Sequence, residues 1–444
     1  MHLSFVWHFH QPIYRDPETR EYILPWVGLH AVKNYHQMAA LLEETEFPCT
    51  YNFVPCLVEQ VLEYAGGTAN DPYAAALEKN PDALTLGDAA LLRAFGVNAT
   101  SRKALQEEAL RFQFSPLLIA PNATREELLA LRRETIQGLL PAYRRLADRG
   151  LAEITTSPYY HPLLPLVFDV QCPDGDEARP VRPFKHPEDG EAQLKKGASY
   201  FESVFGRPPA GLWPSEGGVS RAVAAAAARC GYSFAMTDEN VLWRSLGTPP
   251  ARRALYKPYR AENLNLFFRD RELADLLSFE YMKWPREKAV ADFLARLAAR
   301  RKETGDEEAV CVIVLDGENP WEHYPSNGVP FLRDLFGRLK ESPEWTPTHL
   351  RDYLAGHAPQ DELKLVPGTW LGNFSKWIGH PAKNAAWDRL AESREICGPL
   401  EDIYVAEGSD WFWWYGEEGR EVFDELFRAY LRRAHKITGT KEPS

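Results

Sequence analysis

Val310-Cys-Val-Ile-Val-Leu-Asp316-Gly-Glu-Asn-Pro-Trp-Glu322 is an apolar run long enough for one buried strand, and it ends on a carboxylate. Gly211-Leu-Trp-Pro-Ser-Glu-Gly-Gly-Val-Ser220 repeats the design, its run stopping at Glu216 and two glycines. Working outward from these, seven short apolar runs read as parallel strands: Leu3 to Phe9, Thr50 to Val54, Ala152 to Thr155, Ala210 to Trp213, Ser233 to Met236, Asn265 to Phe268 and Val310 to Leu315. Helical patterns separate them. Arg125 to Arg149 opens with Thr124 and Glu127 in capping-box spacing and carries Pro141 as a kink. Strand alternating with helix predicts an α/β chain built on a parallel sheet or barrel. In such folds chemistry gathers at the carboxyl ends of strands, where the sequence puts His10, Glu153, Glu216, Asp270 and Asp316.

Two regions break the alternation. Residues 68–120 are Ala- and Leu-rich with helical spacing and predict a helical insertion. Residues 169–192, with Asp174, Gly175, Asp176, Pro180, Pro183 and Pro187, predict an extended loop over the mouth of the sheet or barrel. Beyond about residue 345 the strand signals give way to helical patterns such as Arg420 to His435. The 444 residues therefore divide into a catalytic unit over 1–345 and a helical domain over 346–444.

An excess of acids over bases, net charge -12, repels a phosphate backbone and argues against nucleic acid as partner. Six cysteines without CxxC spacing indicate neither a zinc knuckle nor a disulfide framework. The chain opens directly on a strand pattern, so a signal peptide is not expected and a cytoplasmic location is. No apolar run approaches the roughly 18 residues of a membrane span.

Two carboxylates at two strand ends suit glycoside hydrolysis, in which one acid protonates the departing oxygen while the other attacks or activates water at the anomeric carbon. Glu216 is a candidate nucleophile, although isolated acids are usually solvated and the local sequence by itself favours a surface turn acid. Near Asp316, Glu318 and Glu322 are rivals for the proton donor; Asp316 comes first after its strand, which leaves Glu318 to orient groups or touch sugar. Glu153 reads as a substrate or supporting contact, or as a cap on the next segment. His8 and His10, two apart on a strand, point the same way and read as hydrogen-bond donors to sugar or to Glu216. With Asp16 they also make an incomplete metal set of the kind a deacetylase-like barrel would use. His161 either contacts sugar or packs under a loop.

Indoles stack on the apolar faces of sugar rings, so Trp411, Trp413 and Trp414, flanked by Asp410 and Tyr415, read as a substrate wall in an extended segment. Trp213, Trp321 and Trp377 are further candidates; core is the competing reading for all six and the default for Trp7 and Trp243.

Five separated motifs in one order are similar to glycoside hydrolase family 57, in particular its α-amylase and amylopullulanase-like branch: His10-Gln-Pro12, Glu153 to Pro162, Trp213-Pro-Ser-Glu216, Leu315-Asp-Gly-Glu-Asn319 and Ser409 to Gly416. Leu24 to His30, Phe268-Arg-Asp270, Trp377-Ile-Gly379 and Asn384 to Trp387 also resemble that branch. The resemblance implies a (β/α)7 barrel, a distorted TIM-like form, with a C-terminal helical domain that lends aromatic residues to the cleft. It further implies retaining attack on α-glucosidic bonds, Glu216 as nucleophile, Asp316 as general acid/base, and no catalytic metal or cofactor. The expected partner is an α-glucan or malto-oligosaccharide. A hydrolase of α-1,4-glucans, with or without α-1,6 cleavage, stands first; a 4-α-glucanotransferase or branching enzyme of the same machinery is the alternative, and a glucan-binding protein without turnover is the third reading.

Overall fold

Along Val310–Asp316, Val310, Val312 and Val314 pack into one apolar cluster, while Cys311, Ile313 and Leu315 pack into another. This alternation is that of a strand buried on both faces, and it recurs around the computed structural model, which describes residues 1–95, 97–119, 122–173, 178–247, 251–442. The strands are β1 (His2–Phe9), β2 (Cys49–Phe53), β3 (Ala152–Thr156), β4 (Gly211–Leu212), β5 (Phe234–Asp238), β6 (Tyr259–Ala261), β7 (Leu264–Arg269), β8 (Val310–Asp316) and β9 (Thr346–Pro347). Parallel pairing runs β2-β3-β4-β5-β7-β8-β1 and closes through β1–β2. The result is a closed barrel of seven strands with helices outside, the (β/α)7 architecture expected from the strand runs and the resemblance.

All seven expected strands are present. The two additions are short: β6 folds back antiparallel on β7 through Glu262 and Asn263, both at positive φ, and β9 pairs with β1. Two left-handed residues are what a tight hairpin between twisted strands requires. Within β4, Gly211 is obligatory, because a Cβ there would lie 2.3 Å from the Phe234 ring and 2.8 Å from Thr155.

The inner cluster, with Val6, Phe234, Met236 and Phe267, fills the barrel; the outer one, with Leu3, Phe5, Trp7 and Phe9, joins the helices. His8 and Asp316 share the inward parity of Val6 and Val314, and the register pairs His8 with both Asp316 and Asn52. The floor is closed by the helix Leu350–Gly356, whose Leu350 and Tyr353 enter the inner cluster. The chain beyond 345 thus begins inside the barrel's own base before continuing into the helices Pro381–Cys397, Glu401–Ala406, Ser409–Trp414 and Glu421–Thr438.

The insertion over 68–120 is helical, with Pro72–Glu78, Leu86–Arg93 and Arg102–Phe112. The helix Arg125–Asp148 has its capping box on Thr124 and Glu127. The segment 169–192 differs from expectation. Residues 174–177 lie outside the described residues; from Pro187 the chain is already the helix Pro187–Phe205, and before it Phe184 packs on Trp387 and Arg182 N–H donates to Asp388 of the helix Pro381–Cys397, so none of the described part lines the cavity at the barrel mouth. Among the described residues no helix is long and apolar enough to cross a membrane.

Candidate active site

At the carboxyl ends of the strands lies a cavity of about 610 Å³, within the size range of small-molecule sites. Its lining includes Glu216, Asp316 and Glu318, the imidazoles of His8, His10 and His161, and Asp410. Trp213, Trp413 and Trp414 also face it.

Glu216 is set by a short strand that Pro214 ends. The chain then makes a single turn, Ser215–Gly217, with Glu216 left-handed at φ 59°. A non-glycine residue there costs about 1–2 kcal/mol, and neighbours hold it in place: Gly217 O accepts from Thr237 Oγ1, and Glu216 O accepts from Trp370 N–H at 2.9 Å. His161, also at the cavity, is left-handed too (φ 56°). Left-handed residues also occur in turns away from the cavity, such as Glu262 and Asn263, so the cavity is defined by its side chains.

Both carboxylate oxygens of Glu216 are engaged: Oε1 accepts from Ser409 Oγ and Oε2 from Trp370 Nε1, each at 2.9 Å. Because the Ser409 hydroxyl donates to Glu216, it must accept from His161 Nδ1–H, 3.0 Å away. Burial, followed by the charge of Asp410, pushes the Glu216 carboxyl up to about 7, and the two donors oppose that rise.

Asp316 faces the cavity from the last position of β8 and accepts from Asn319 Nδ2 at 3.0 Å. Glu318 is buried. Its Oε1 accepts from His10 N–H, Gln11 Nε2 and Tyr35 O–H, whereas its Oε2 has no partner. Burial and then Asp316 hold this carboxyl well above its usual range, so it is a neutral acid at the cavity floor.

The imidazoles form a ladder. His10 and His161 stack with centroids 3.8 Å apart, and His8 lies 5.2 Å from His161. Acceptor-only partners fix their protons: His8 Nδ1–H donates to Asn52 Oδ1 and His10 Nε2–H to Asp410 Oδ2, both at 2.8 Å. Burial holds His8 down to about 4 and His161 well below its usual value, so both are neutral near pH 7. Asp16 is elsewhere, capping its own turn through the N–H groups of Glu18 and Thr19, so the set His8, His10, Asp16 is not assembled.

Several expected residues belong to the scaffold instead. Glu153 is the second residue of β3, one inward layer below Thr155, and accepts from Thr50 Oγ1 and from the backbone N–H groups of Leu350 and Arg351. It caps the helix that closes the floor and does not reach the cavity. Asp270 is a buried cap on Arg271–Asp275, bound by Arg252 and Tyr256. Trp321 is fully buried between Trp7 and Tyr324. Trp377 is buried edge-on to Trp413.

Ser409–Trp414 is a helix, not an extended segment. On a helix Asp410, Trp413 and Trp414 are i, i+3 and i+4 and share a face, which is the cavity face. Trp411 points the other way, donating Nε1–H to Val405 O in the core. Sequence reasoning passed over Trp370 and Ser409, the two donors to Glu216. It also did not single out Arg269, which lines the cavity with its guanidinium 5.6 Å from the Trp370 ring. Arg269 carried a signal, since it has the inward parity of Phe267 on β7.

A seven-stranded barrel with two acids at strand ends, opening on an indole-walled cavity, defines a carbohydrate-active class of barrel. The family model of glycosyl hydrolase family 57 matches residues 4–366, and the chain belongs to that family. No curated protein matches the sequence significantly. Among solved structures, the α-amylase AmyC of Thermotoga maritima is similar at 16% identity and TM-score 0.72, over 99% of this chain and 93% of its own. A family 57 branching enzyme of Thermococcus kodakaraensis is similar at 17% and 0.70, over 98% and 90%. The 4-α-glucanotransferase of Thermococcus litoralis is similar at 16% and 0.61, over 98% of this chain and 60% of that one.

Proposed function

We propose that the protein is a retaining enzyme of α-1,4-glucans, with Glu216 as nucleophile and Asp316 as general acid/base. The observation carrying this reading is that both acids face one indole-walled cavity while two hydrogen bonds clamp Glu216. In the first step a Glu216 oxygen bonds to the anomeric carbon as the glycosidic bond breaks, and the Asp316 proton passes to the leaving oxygen. Asp316, now a carboxylate, takes a proton from water, whose oxygen displaces Glu216 and restores both groups. Ser409 and Trp370 favour the ionised form that attack requires. Glu318 braces the loop that carries His10 and Gln11, the hydrogen-bonded pair His10 and Asp410 is placed to meet a sugar hydroxyl, and Trp213, Trp413 and Trp414 supply ring faces.

Glucan as substrate is supported by the named activities of the similar structures, an α-amylase, a branching enzyme and a 4-α-glucanotransferase. Two of these three are transferases, which supports a second reading: a sugar hydroxyl replaces water in the second step, with the same carboxylates. The test is incubation of wild type and Glu216→Gln with maltoheptaose and pullulan, following reducing ends and product lengths together. New reducing ends, absent with the variant, mean hydrolysis; redistributed lengths at a constant number of ends mean transfer. Full activity in the variant would remove Glu216 from its role.

A further inference from the structure

At the opposite end of the barrel, three side chains from three elements meet on one point. His2 is the first residue of β1, Glu308 lies in the turn before β8, and His357 follows the helix Leu350–Gly356. Glu308 Oε2 is 2.7 Å from His357 Nε2 and 3.4 Å from His2 Nε2. One nitrogen or oxygen from each residue falls within 4.8 Å of the other two. Tetrahedral ligands around zinc, with bonds of about 2.0–2.1 Å, lie about 3.3 Å apart, so small side-chain rotations close this set on an ion.

Neighbouring groups hold the three in place. The His357 ring stacks on Tyr353 with centroids 4.2 Å apart and planes 10° from parallel. His357 Nδ1 is 3.0 Å from the carbonyl of Tyr353, which only accepts, so the proton sits on Nδ1. Nε2 of the neutral ring therefore turns a lone pair toward a carboxylate oxygen. Two acceptors face each other there, and the conflict is relieved by protonating the ring or by a cation between them. A histidine whose far N–H is held by a carbonyl has the orientation that metal sites use. Tyr353 O–H in turn donates to the Glu308 carbonyl and pins that backbone. The Met1 ammonium, Asp306 and the ion pair of Arg301 with Glu307 lie alongside. The side chains are 19%, 65% and 29% exposed for His2, Glu308 and His357, so an ion has access.

The other three-residue group of this kind among the described residues, His10, His161 and Asp410, lacks the geometry. Its imidazoles lie face to face, 25° from parallel, so their in-plane lone pairs run side by side. The rings of His2 and His357 are inclined at 62°, which lets two in-plane lone pairs converge.

We propose that His2, Glu308 and His357 bind a divalent transition-metal ion of the zinc type, with water completing the shell, at the floor of the barrel. Imidazole with one carboxylate suits zinc, copper and nickel and disfavours magnesium and calcium. The ion would tie the start of β1 to the entry of β8 and to the closing helix, so its effect is on stability. One feature limits affinity: His2 Nδ1, protonated when Nε2 holds the ion, is buried without a partner.

The experiment titrates chelator-treated full-length protein with zinc chloride by calorimetry and repeats the thermal melt with and without zinc, for wild type, His357→Ala, Glu308→Gln and His10→Ala. A single saturable site is expected in wild type and His10→Ala, with a raised melting temperature. At least about tenfold weaker binding is expected in His357→Ala and Glu308→Gln. Glu308→Gln alters only an exposed side chain and so guards against misfolding of the histidine variant. The proposal is overturned if wild type binds no zinc, if both floor variants bind it unchanged, if binding is lost only in His10→Ala, or if magnesium binds as tightly.

Discussion

Replacing Ser409 with alanine removes one donor from Glu216 and takes the acceptor from His161 Nδ1–H. A hydrogen bond to a charged group is worth about 1.5–3 kcal/mol, which is about one to two pKa units. A water molecule entering the space left by the hydroxyl would recover part of this, so about one unit is the expected rise. Starting from about 7, the carboxyl would move to about 8. The sign follows from the partner: Ser409 stabilises the ionised form, so its loss favours the proton. At pH 7 the ionised fraction drops from about one half to about one tenth, and kcat/KM should fall about fivefold. The assay is kcat/KM for malto-oligosaccharide cleavage from pH 5 to 9. The acid limb should shift upward by about one unit, with the variant approaching wild type at the alkaline end. A loss of equal size at every pH would show that Ser409 acts only through packing and would refute the electrostatic argument.

Glu153→Ala leaves the N–H groups of Leu350 and Arg351 without their acceptor; it should cost about 3 kcal/mol in denaturant unfolding, with kcat/KM unchanged in the folded fraction. Trp411→Ala should destabilise by about 3–5 kcal/mol, whereas Trp414→Ala, at a partly buried ring packed on Phe423, should destabilise less and raise KM for longer glucans. Glu318 keeps its proton when folded and loses it above about pH 4.5 when unfolded, so wild type loses stability as pH rises through that range. Glu318→Gln has no such titration, and its melting temperature relative to wild type should climb with pH; a flat difference would mean that Glu318 is ionised in the folded protein.

The barrel was legible because its signals are local. Seven apolar runs between helical patterns give strands, and parity along β1 and β8 already turns His8 and Asp316 inward. Glu153 was misplaced because parity gives the face of a strand and not the level along it: as the second residue of β3 it points inward, toward the floor. Ser409 to Trp414 misled for a related reason, since six residues rich in aromatics carry no period that separates helix from extended chain, and the helical turn exchanges Trp411 for Asp410 at the cavity. Trp370 lies in no motif and Ser409 only opens one, and neither showed its role, which depends on contacts 154 and 193 residues away in the chain.

The family match ends at residue 366, and both donors to Glu216 lie beyond it. The barrel therefore supplies the two acids, and the chain that follows supplies two groups that favour the ionised form of Glu216. A hybrid joining this barrel to an unrelated tail would keep Glu216 and Asp316 yet lose both donors to Glu216, which would push that carboxyl further up.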